Sequence, residues 1–367
     1  MRSSMMRRSL LLITLLTTSA TGAGAQATAG GVTERDFIVR NFRFASGETL
    51  PAMTLHYRTL GRPRLDAAGV VRNAVLILHG TTGSGAQFLS PSFSSVLYGR
   101  GQPLDTAVYY VVLPDGIGHG RSSRPSEGMR ARFPRYTYDD MVDAQHRLLV
   151  DGLGVTHLRL VMGTSMGGMH SWVWGERYPD FMDGIVPLAS VPTAIVGRNR
   201  MLRRMAMDDI RTDPEWRGGD YTSQPPGLRA ALQILWLMTS APLVQHRAAP
   251  TRQKADSLIT AWLDARFRTM DANDMLFAFD ASRDYDPEPL LNRIPAPVLA
   301  INSADDLVNP PELGLMERLM PRVKHGRFEL LPISAETRGH GTHTVASVWS
   351  TPFAAFVAGL AQLPVLQ

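Results

Sequence analysis

The segment 163–167, Gly-Thr-Ser-Met-Gly, constrains the fold most strongly, because it joins a predicted strand to a predicted helix. The apolar run 158–162 before it indicates a short buried strand, and residues 168–174 after it indicate the start of a helix. A sharp turn of this kind holds its serine in a strained, exposed position at the edge of a sheet. Ser165 is therefore a candidate nucleophile. The alternative interpretation is a chance G-x-S-x-G pattern in a loop.

Buried strands alternate with helical stretches along most of the chain. They are predicted at 74–78, 108–113, 158–162, 185–189, 298–302 and 328–331. Continuous apolar runs separated by helices indicate a mostly parallel central sheet with helices on both faces, which is an α/β fold. Residues 36–58 instead predict a strand hairpin that precedes the parallel part of the sheet.

The stretch 192–289 interrupts this alternation, because it is helical, rich in Met, Arg and Trp, and contains no clear strand. It lies between two successive strands, so we expect an inserted helical lid over the carboxyl edge of the sheet. Five of its apolar side chains either line an acyl pocket or form the core of the lid: Met201, Met205, Met207, Trp236 and Met238. The α/β core then comprises residues 26–191 and 290–367.

Residues 1–25 have the organisation of a signal peptide. A positively charged start with Arg2, Arg7 and Arg8 precedes the apolar run 10–16, which is too short to span a bilayer. Small residues at 23–25 form a cleavage site. We therefore expect an exported protein, periplasmic or secreted, with no membrane attachment after removal of the signal. An N-terminal helix that stays anchored in the membrane is the alternative.

Charge and cysteine content exclude several classes of function. Loss of the signal segment would leave 35 basic and 33 acidic side chains, and this nearly balanced charge gives no case for nucleic-acid binding. The chain has no cysteine, which excludes disulfides, thiolate metal sites and a cysteine nucleophile. The ten histidines lack the spacing of metal ligands, so neither a metal nor an organic cofactor is implied.

A serine nucleophile needs a base to accept its proton and an acid to orient that base. When a serine turn follows a strand in this way, the chain order of the three groups is serine, acid, histidine. Asp305 and Asp306 lie a few residues after the predicted strand 298–302, and spacing alone leaves both open as the acid. We favour Asp306, which lies four residues before Pro310. The residue that is not the acid would cap the turn before the next helix.

Two histidines follow the last predicted strand. His340 comes after a glycine in a flexible loop and is the better candidate for the base, whereas His343 is expected in the first turn of the last helix, 344–360. His119 lies close to Asp115 but precedes the serine in the chain, so we interpret that segment as a structural turn held by Asp115 and Ser122.

The negatively charged oxygen of a tetrahedral intermediate needs two backbone N–H donors. Met166, directly after the candidate nucleophile, would supply one of them from the start of a helix. The Gly-rich loop 79–85 follows the first core strand, and Thr81 in this loop is the expected second donor. The alternative for this loop is an ordinary glycine-rich connection.

The run 163–169, Gly-Thr-Ser-Met-Gly-Gly-Met, resembles the α/β-hydrolase superfamily, and specifically its homoserine O-acetyltransferase branch. Residues 210–221, Ile-Arg-Thr-Asp-Pro-Glu-Trp-Arg-Gly-Gly-Asp-Tyr, match a long lid motif of that branch, and the resemblance extends from about residue 57 to the C-terminus. Residues 306–311 match the D-x-x-x-P-P motif around its catalytic acid, which supports Asp306. The resemblance implies the α/β-hydrolase fold, a Ser165–His340–Asp306 triad and a possible homodimer through the lid.

Two departures from the branch concern its substrate. The acetyltransferases have an aspartate after the catalytic histidine, which holds the amino group of homoserine, and Gly341 stands there in this chain. Their lid arginine, which meets the substrate carboxylate, aligns with Met207. An amino acid would therefore leave its charges unpaired, which is costly. We expect an exported serine esterase acting on a small-molecule ester, with acyl transfer to an alcohol or amine as the alternative and a catalytically silent binding module as a third possibility.

Overall fold

A computed structural model describes residues 31–361 of the 367-residue chain, so the signal-peptide prediction for residues 1–25 lies outside the described residues. Eight strands form one sheet in the order β1-β2-β4-β3-β5-β6-β7-β8. The strands are β1 (Thr33–Arg43), β2 (Thr49–Leu60), β3 (Ala74–Leu78), β4 (Tyr110–Pro114), β5 (Leu160–Thr164), β6 (Ile185–Leu188), β7 (Val298–Ser303) and β8 (Gly326–Leu331).

The sheet is mostly parallel, as the alternating pattern predicts. Strands β3 to β8 pair in parallel, whereas β1 and β2 form an antiparallel hairpin that joins the sheet through β4. Strand β5 lies between β3 and β6, so its end occupies the middle of the carboxyl edge. This position places Ser165, the residue after β5, at the centre of that edge.

The predicted strand 158–162 is shifted by two residues from β5. Leu158 forms only an isolated bridge with Met182, and the ladder with β3 runs from the pair Val75 and Leu160 to the pair Leu78 and Gly163. Pairing with neighbours on both sides carries the strand into Gly163 and Thr164, which the apolar pattern alone did not include. The helix after the turn likewise begins at Met166, two residues earlier than predicted.

Ten helices accompany the sheet within the described residues. They are α1 (Pro91–Leu97), α2 (Tyr138–Arg147), α3 (Met166–Arg177), α4 (Gly197–Arg211), α5 (Pro226–Thr239), α6 (Pro242–Ala248), α7 (Arg252–Phe267), α8 (Ala272–Asp280), α9 (Leu315–Leu319) and α10 (Ala346–Gly359). Helices α4 to α8 all lie between β6 and β7, where the sequence predicts the inserted helical segment. No single helix of residues 31–361 is long and apolar enough to cross a membrane, although α5 and α6 pass that test together as a bent pair.

The ends of the inserted helices follow local chemistry. Pro226 and Pro242 occupy the first positions of α5 and α6, where a missing N–H costs nothing. Thr251 caps α7 by accepting from the Lys254 N–H, and the Asp271 carboxylate caps α8. A proline or a capping side chain therefore marks the start of each of these four helices.

Alternate residues of β5 supply two buried layers, one on each face of the sheet. Val161 packs on the face that carries α2, α3 and the inserted helices, together with the fully buried Trp172 and Trp174. Leu160 and Met162 pack on the opposite face, against a cluster that includes Trp349 of α10. The sheet is therefore buried on both sides, which explains why its central strands consist almost entirely of apolar residues.

Candidate active site

Ser165 lies in a strained turn between β5 and α3. Its backbone has φ 56° and ψ −115°, a conformation that residues other than glycine rarely adopt. The flanking glycines make this turn possible: a Cβ on Gly163 would overlap the Gly167 carbonyl, and one on Gly167 would overlap the Leu78 carbonyl. Strain that the surrounding structure maintains in this way is typical of functional positions.

The three residues predicted as nucleophile, base and acid lie together in a hydrogen-bonded chain. Nε2 of His340 is 2.8 Å from Oγ of Ser165, and Nδ1 of His340 is 2.9 Å from Oδ2 of Asp306. With its proton on Nδ1, the imidazole donates to Asp306 and accepts from the serine hydroxyl. This geometry allows His340 to remove the serine proton while Asp306 stabilises the charge that forms.

The surroundings of Asp306 favour its ionised form. The residue is 1% exposed, and burial alone raises its pKa, but the facing His340 and three hydrogen bonds outweigh that effect and lower the pKa below the usual value. The Val308 and Asn309 N–H groups donate to Oδ1, and the Asn309 amide donates to Oδ2. A carboxylate held in this way stays charged at neutral pH and fixes the histidine tautomer.

Asp305 has a different role from Asp306 in the structure. Its Oδ2 accepts a hydrogen bond of 2.9 Å from the Gly339 N–H, and its Oδ1 accepts one of 2.5 Å from Oγ of Ser303. It therefore ties the loop that carries His340 to the end of β7, instead of contacting the imidazole. Of the two neighbouring aspartates, Asp306 is therefore the one whose carboxylate contacts the imidazole of His340.

His343 is not in the last helix, contrary to the prediction. It lies in the 3₁₀ turn Gly341–Thr344, and α10 begins only at Ala346. Burial and the nearby His340 lower its pKa to about 3, so it is neutral, and the two rings pack edge to face at 5.2 Å. His343 packs beside the candidate base and makes no hydrogen bond to Ser165 among the described contacts.

The backbone N–H groups of Thr81 and Met166 are both free to bind a negatively charged oxygen. Neither donates a hydrogen bond to any group in residues 31–361, and Met166 is the first residue of α3. Thr81 lines the same cavity as Ser165, and a Cβ on its neighbour Gly80 would lie 3.3 Å from Cβ of Ser165. The glycine thus lets this loop approach the serine closely, which is the arrangement needed for an oxyanion site.

The segment around His119 is a structural turn that also supports this loop. Oγ of Ser122 donates to the Asp115 carbonyl, and Gly118 and Gly120 have positive φ angles, in agreement with the prediction. The His119 ring lies 2.8 Å from the Thr81 carbonyl and 2.8 Å from the Ile117 carbonyl. His119 therefore contacts the back of the loop and not the candidate nucleophile.

The five apolar lid residues have separate locations. Met201 and Met205 are 66% and 49% exposed, and Met207 is buried in the core of the lid. Of the five, only Met238 contributes to the two cavities that contain Ser165. These five residues do not together line an acyl pocket, because Met201 and Met205 share an exposed face of α4 and Met207 lies on its buried side.

Sequence reasoning missed Arg203, which lines both cavities beside Ser165 and His340. It lies on α4 one turn before Met207, the position that aligns with the lid arginine of the resembling branch. No motif selects Arg203, and its one sequence signal is its place in an apolar stripe of α4 with Leu202, Ala206 and Ile210. An arginine in an otherwise apolar stripe either is paired or faces a ligand.

Comparisons with known proteins agree with the fold. A family model described as the alpha/beta hydrolase fold matches residues 73–329. A probable acyltransferase of Methanothermobacter thermautotrophicus is 29% identical over 296 residues, which cover 80% of this chain and 89% of that protein. A homoserine O-acetyltransferase of Natronomonas pharaonis is 36% identical over 214 residues, covering 53% of this chain and 51% of the relative. The match thus spans about half of that enzyme's length.

Solved structures give the same architecture. The crystal structure of esterase E22 superposes with a TM-score of 0.76 and 22% identity, and the match covers 89% of this chain and 100% of the esterase. At this identity the likeness establishes the fold alone. The chain thus resembles proteins named as esterases and proteins named as acyltransferases. These names do not decide the acyl acceptor, which has to be argued from the site.

Proposed function

The chain belongs to the α/β-hydrolase superfamily, in its homoserine O-acetyltransferase-like branch, and we propose that it transfers acyl groups from esters through a covalent intermediate on Ser165. The observation that carries the proposal is the hydrogen-bonded chain from Ser165 through His340 to Asp306. The names of the relatives also support an enzyme of this superfamily that acts as an esterase or an O-acyltransferase.

In the first half of the reaction, Oγ of Ser165 attacks the ester carbonyl while Nε2 of His340 accepts the serine proton. The carbonyl oxygen becomes an oxyanion, which accepts hydrogen bonds from the Thr81 and Met166 N–H groups. Loss of one such donor typically costs about 3 kcal/mol of transition-state stabilisation. The C–O bond to the leaving alcohol then breaks, His340 returns the proton to that alcohol, and the acyl group remains on Ser165.

The second half repeats these steps with a different nucleophile. An acceptor hydroxyl gives its proton to Nε2 of His340 and attacks the acyl-enzyme carbonyl. The same two N–H groups bind the new oxyanion, and its collapse releases the product while His340 returns the proton to Oγ of Ser165. Each residue therefore acts twice, and the acceptor alone decides between hydrolysis and transfer.

We propose an alcohol as the acceptor. From the sequence we expected water, whereas both relatives compared by sequence carry the name of an acyltransferase, and these names favour an alcohol. Gly341 follows His340 where the resembling enzymes have the aspartate that holds an amino group, which argues against homoserine itself. An acceptor hydroxyl without an adjacent ammonium group agrees with both observations.

Hydrolysis is the second candidate, because the residues of this chain leave water a path to the acyl-enzyme. Ser165 lines a cavity of about 420 Å³, large enough to hold water beside a small acyl group. The two functions share the first half-reaction, so one enzyme preparation can decide between them.

The test uses p-nitrophenyl acetate as the acyl donor, with butan-1-ol, L-homoserine or no added acceptor. We expect rapid release of p-nitrophenol that Ser165→Ala abolishes, and butyl acetate as a product when butan-1-ol is present. Ser92→Ala, which changes an exposed serine on α1, is the matched control and should leave the rates unchanged. Acetate as the only product would support hydrolysis, and equal rates for wild type and Ser165→Ala would exclude the nucleophile.

A further inference from the structure

Two cavities of similar size meet at Ser165 and His340 but differ in chemistry. The first, of about 430 Å³, is mostly apolar, with Met169 and Val191 in its lining, although it shares Arg203 with the second cavity and also contains Arg198 and Glu312. The second, of about 420 Å³, extends from the loop of Thr81 towards α7. We name the second the cationic cavity, because Arg203 and Arg266 are among its lining residues and no acidic side chain is.

Arg203 is held rigidly in the cationic cavity by neutral partners. The residue is 3% exposed, its Nε donates to Oδ1 of Asn199 at 2.9 Å, and its Nη1 donates to Oγ of Ser282 at 3.2 Å. The guanidinium also lies 5.4 Å from the centre of the Phe279 ring. These contacts fix the orientation of the guanidinium and leave its charge uncompensated.

No carboxylate in the described part of the chain neutralises Arg203. None of the ion pairs among residues 31–361 includes it, and the groups beside its guanidinium, Asn199, Ser282 and Tyr138, are uncharged. A buried charge without an opposite charge is strongly unfavourable, so arginines in this state are usually paired or face an anionic ligand. The planar guanidinium suits a carboxylate best, because it can donate two parallel hydrogen bonds.

Arg266 adds a second positive charge to the same cavity. It is half-buried, its guanidinium lies 5.6 Å from the centre of the Trp262 ring, and it too forms no ion pair within the described residues. With two arginines and no acidic residue, the cavity attracts anions. An ammonium group inside it would meet two like charges and no carboxylate.

We infer that the cationic cavity binds the carboxylate of a hydroxy acid, with Arg203 as its anchor, so that the hydroxyl group of that molecule reaches the acyl group on Ser165. This inference rests on the proposed function, because it assigns the class of alcohol that accepts or leaves. Amino acids with the same hydroxyl group are excluded by their ammonium group. Arg203 thus determines specificity and takes no part in the proton transfers.

The experiment compares molecules that differ only in charge. As acceptors we would use 4-hydroxybutanoate, L-homoserine and butan-1-ol, and as substrates in the opposite direction 4-acetoxybutanoate and butyl acetate. We expect kcat/KM of the wild type to be about 10- to 100-fold higher for 4-acetoxybutanoate than for butyl acetate, the range for one charge-assisted pair. The rate of acyl transfer should be higher with 4-hydroxybutanoate as the acceptor than with L-homoserine or butan-1-ol.

Arg203→Gln should lower the ratio of kcat/KM for the anionic ester to that for the neutral ester towards one. The control is Arg204→Gln, which removes an exposed neighbour paired with Asp208 and should leave the ratio unchanged. Because both esters are measured in the same variant, a partial loss of folded protein cancels from the ratio. If Arg203→Gln does not fold, inhibition of wild-type butyl acetate turnover by butanoate, compared with butan-1-ol, measures the same preference.

The outcomes separate the inference from the proposed function. Equal wild-type turnover of the anionic and neutral esters, with Ser165 required for both, would overturn the hydroxy-acid inference and leave the proposed function standing. Absence of Ser165-dependent turnover of every ester would overturn the proposed function itself. A preference for L-homoserine over 4-hydroxybutanoate would also overturn the inference, because it would require a partner for the ammonium group.

Discussion

At the scale of single residues, two neighbouring aspartates perform separate tasks. Asp306 accepts the Nδ1–H of His340, while Asp305 accepts the Gly339 N–H and so holds the loop on which His340 lies. The Asp306 carboxylate contacts the imidazole itself, and the Asp305 carboxylate binds the backbone of the loop that carries it. Their chemical similarity makes the pair a sensitive test of the proposed site.

Asp306→Asn should lower kcat by about 10³- to 10⁴-fold, because an amide does not hold the imidazole in the required tautomer or stabilise its charge. Asp305→Asn should lower kcat less than about tenfold, since its amide oxygen can still accept from Gly339. Steady-state kinetics with p-nitrophenyl acetate would measure both. Similar losses for the two variants would contradict the separate roles assigned to them.

Sequence predicted the residues of this site better than it predicted the substrate contacts. Ser165, Asp306 and His340 each carry a local pattern, so the structure brings together residues that motifs had already selected. Arg203 has no such pattern, because its role depends on how α4 is rotated against the sheet. Met207 occupies the aligned position but is buried in the lid core, and only packing reveals this difference.

At the scale of elements, the turn from β5 into α3 depends on how closely the two approach β3. Gly167 lies in the first turn of α3 against the carbonyl of Leu78, so the helix can start beside the sheet only without a side chain there. The predicted strand and helix were each displaced by two residues, since pairing with both neighbours of β5 sets their limits. The apolar pattern of the sequence predicts that a strand or helix is present, whereas contacts with neighbouring elements determine the residues at which it begins and ends.

Gly167→Ala should prevent α3 from packing on β3, because the new Cβ would overlap backbone carbonyl groups that cannot move independently. We expect a loss of stability of about 3 kcal/mol or more, or failure to obtain soluble protein. Gly341→Ala is the control, since the nearest atom to its new Cβ would be Cβ of Arg338 at 3.7 Å. Thermal unfolding would compare them, and equal stability of both variants would contradict this account of the turn.

At the scale of the whole molecule, the helical segment between β6 and β7 supplies one side of the substrate cavities and the sheet supplies the other. Arg203 and Arg266 come from the inserted helices, whereas Ser165 follows a core strand. The insertion was predicted because residues 192–289 show a helical pattern and no clear strand. The cavities beneath it depend on contacts between residues that are far apart in the sequence. The positive charge that lines one of these cavities therefore depends on how the chain folds.

Glu176 is a half-buried carboxylate whose ionised form opposes folding. Burial, together with Asp139 and Asp286, raises its pKa to about 7, and its Oε2 has no hydrogen-bond partner in residues 31–361. Because the pKa of Glu176 is higher in the folded chain than in the unfolded chain, its carboxyl group ionises at a lower pH when the chain is unfolded. The contribution of Glu176 to stability therefore falls as the pH rises from about 4.5 to about 7, and stays low above that range.

Glu176→Gln should raise the free energy of unfolding at pH 8 by about 1 kcal/mol, after allowance for partial solvent screening, and raise Tm by about 2–4 °C. At pH 4 the free energy of unfolding of the variant should equal that of the wild type, because the carboxyl group of Glu176 is then mostly protonated in both the folded and the unfolded chain. Glu317→Gln, at an exposed position of α9, serves as the control. A gain of equal size at pH 4 and pH 8 would show that charge is not its cause.

The central claim is that His340 makes Ser165 a nucleophile, and covalent labelling with a fluorophosphonate tests it most directly. Mass spectrometry of the digested protein should find the label on the peptide that contains Ser165, and His340→Ala should slow labelling by about 10³-fold or more. Labelling at another residue, or at Ser165 with an undiminished rate in His340→Ala, would contradict the account.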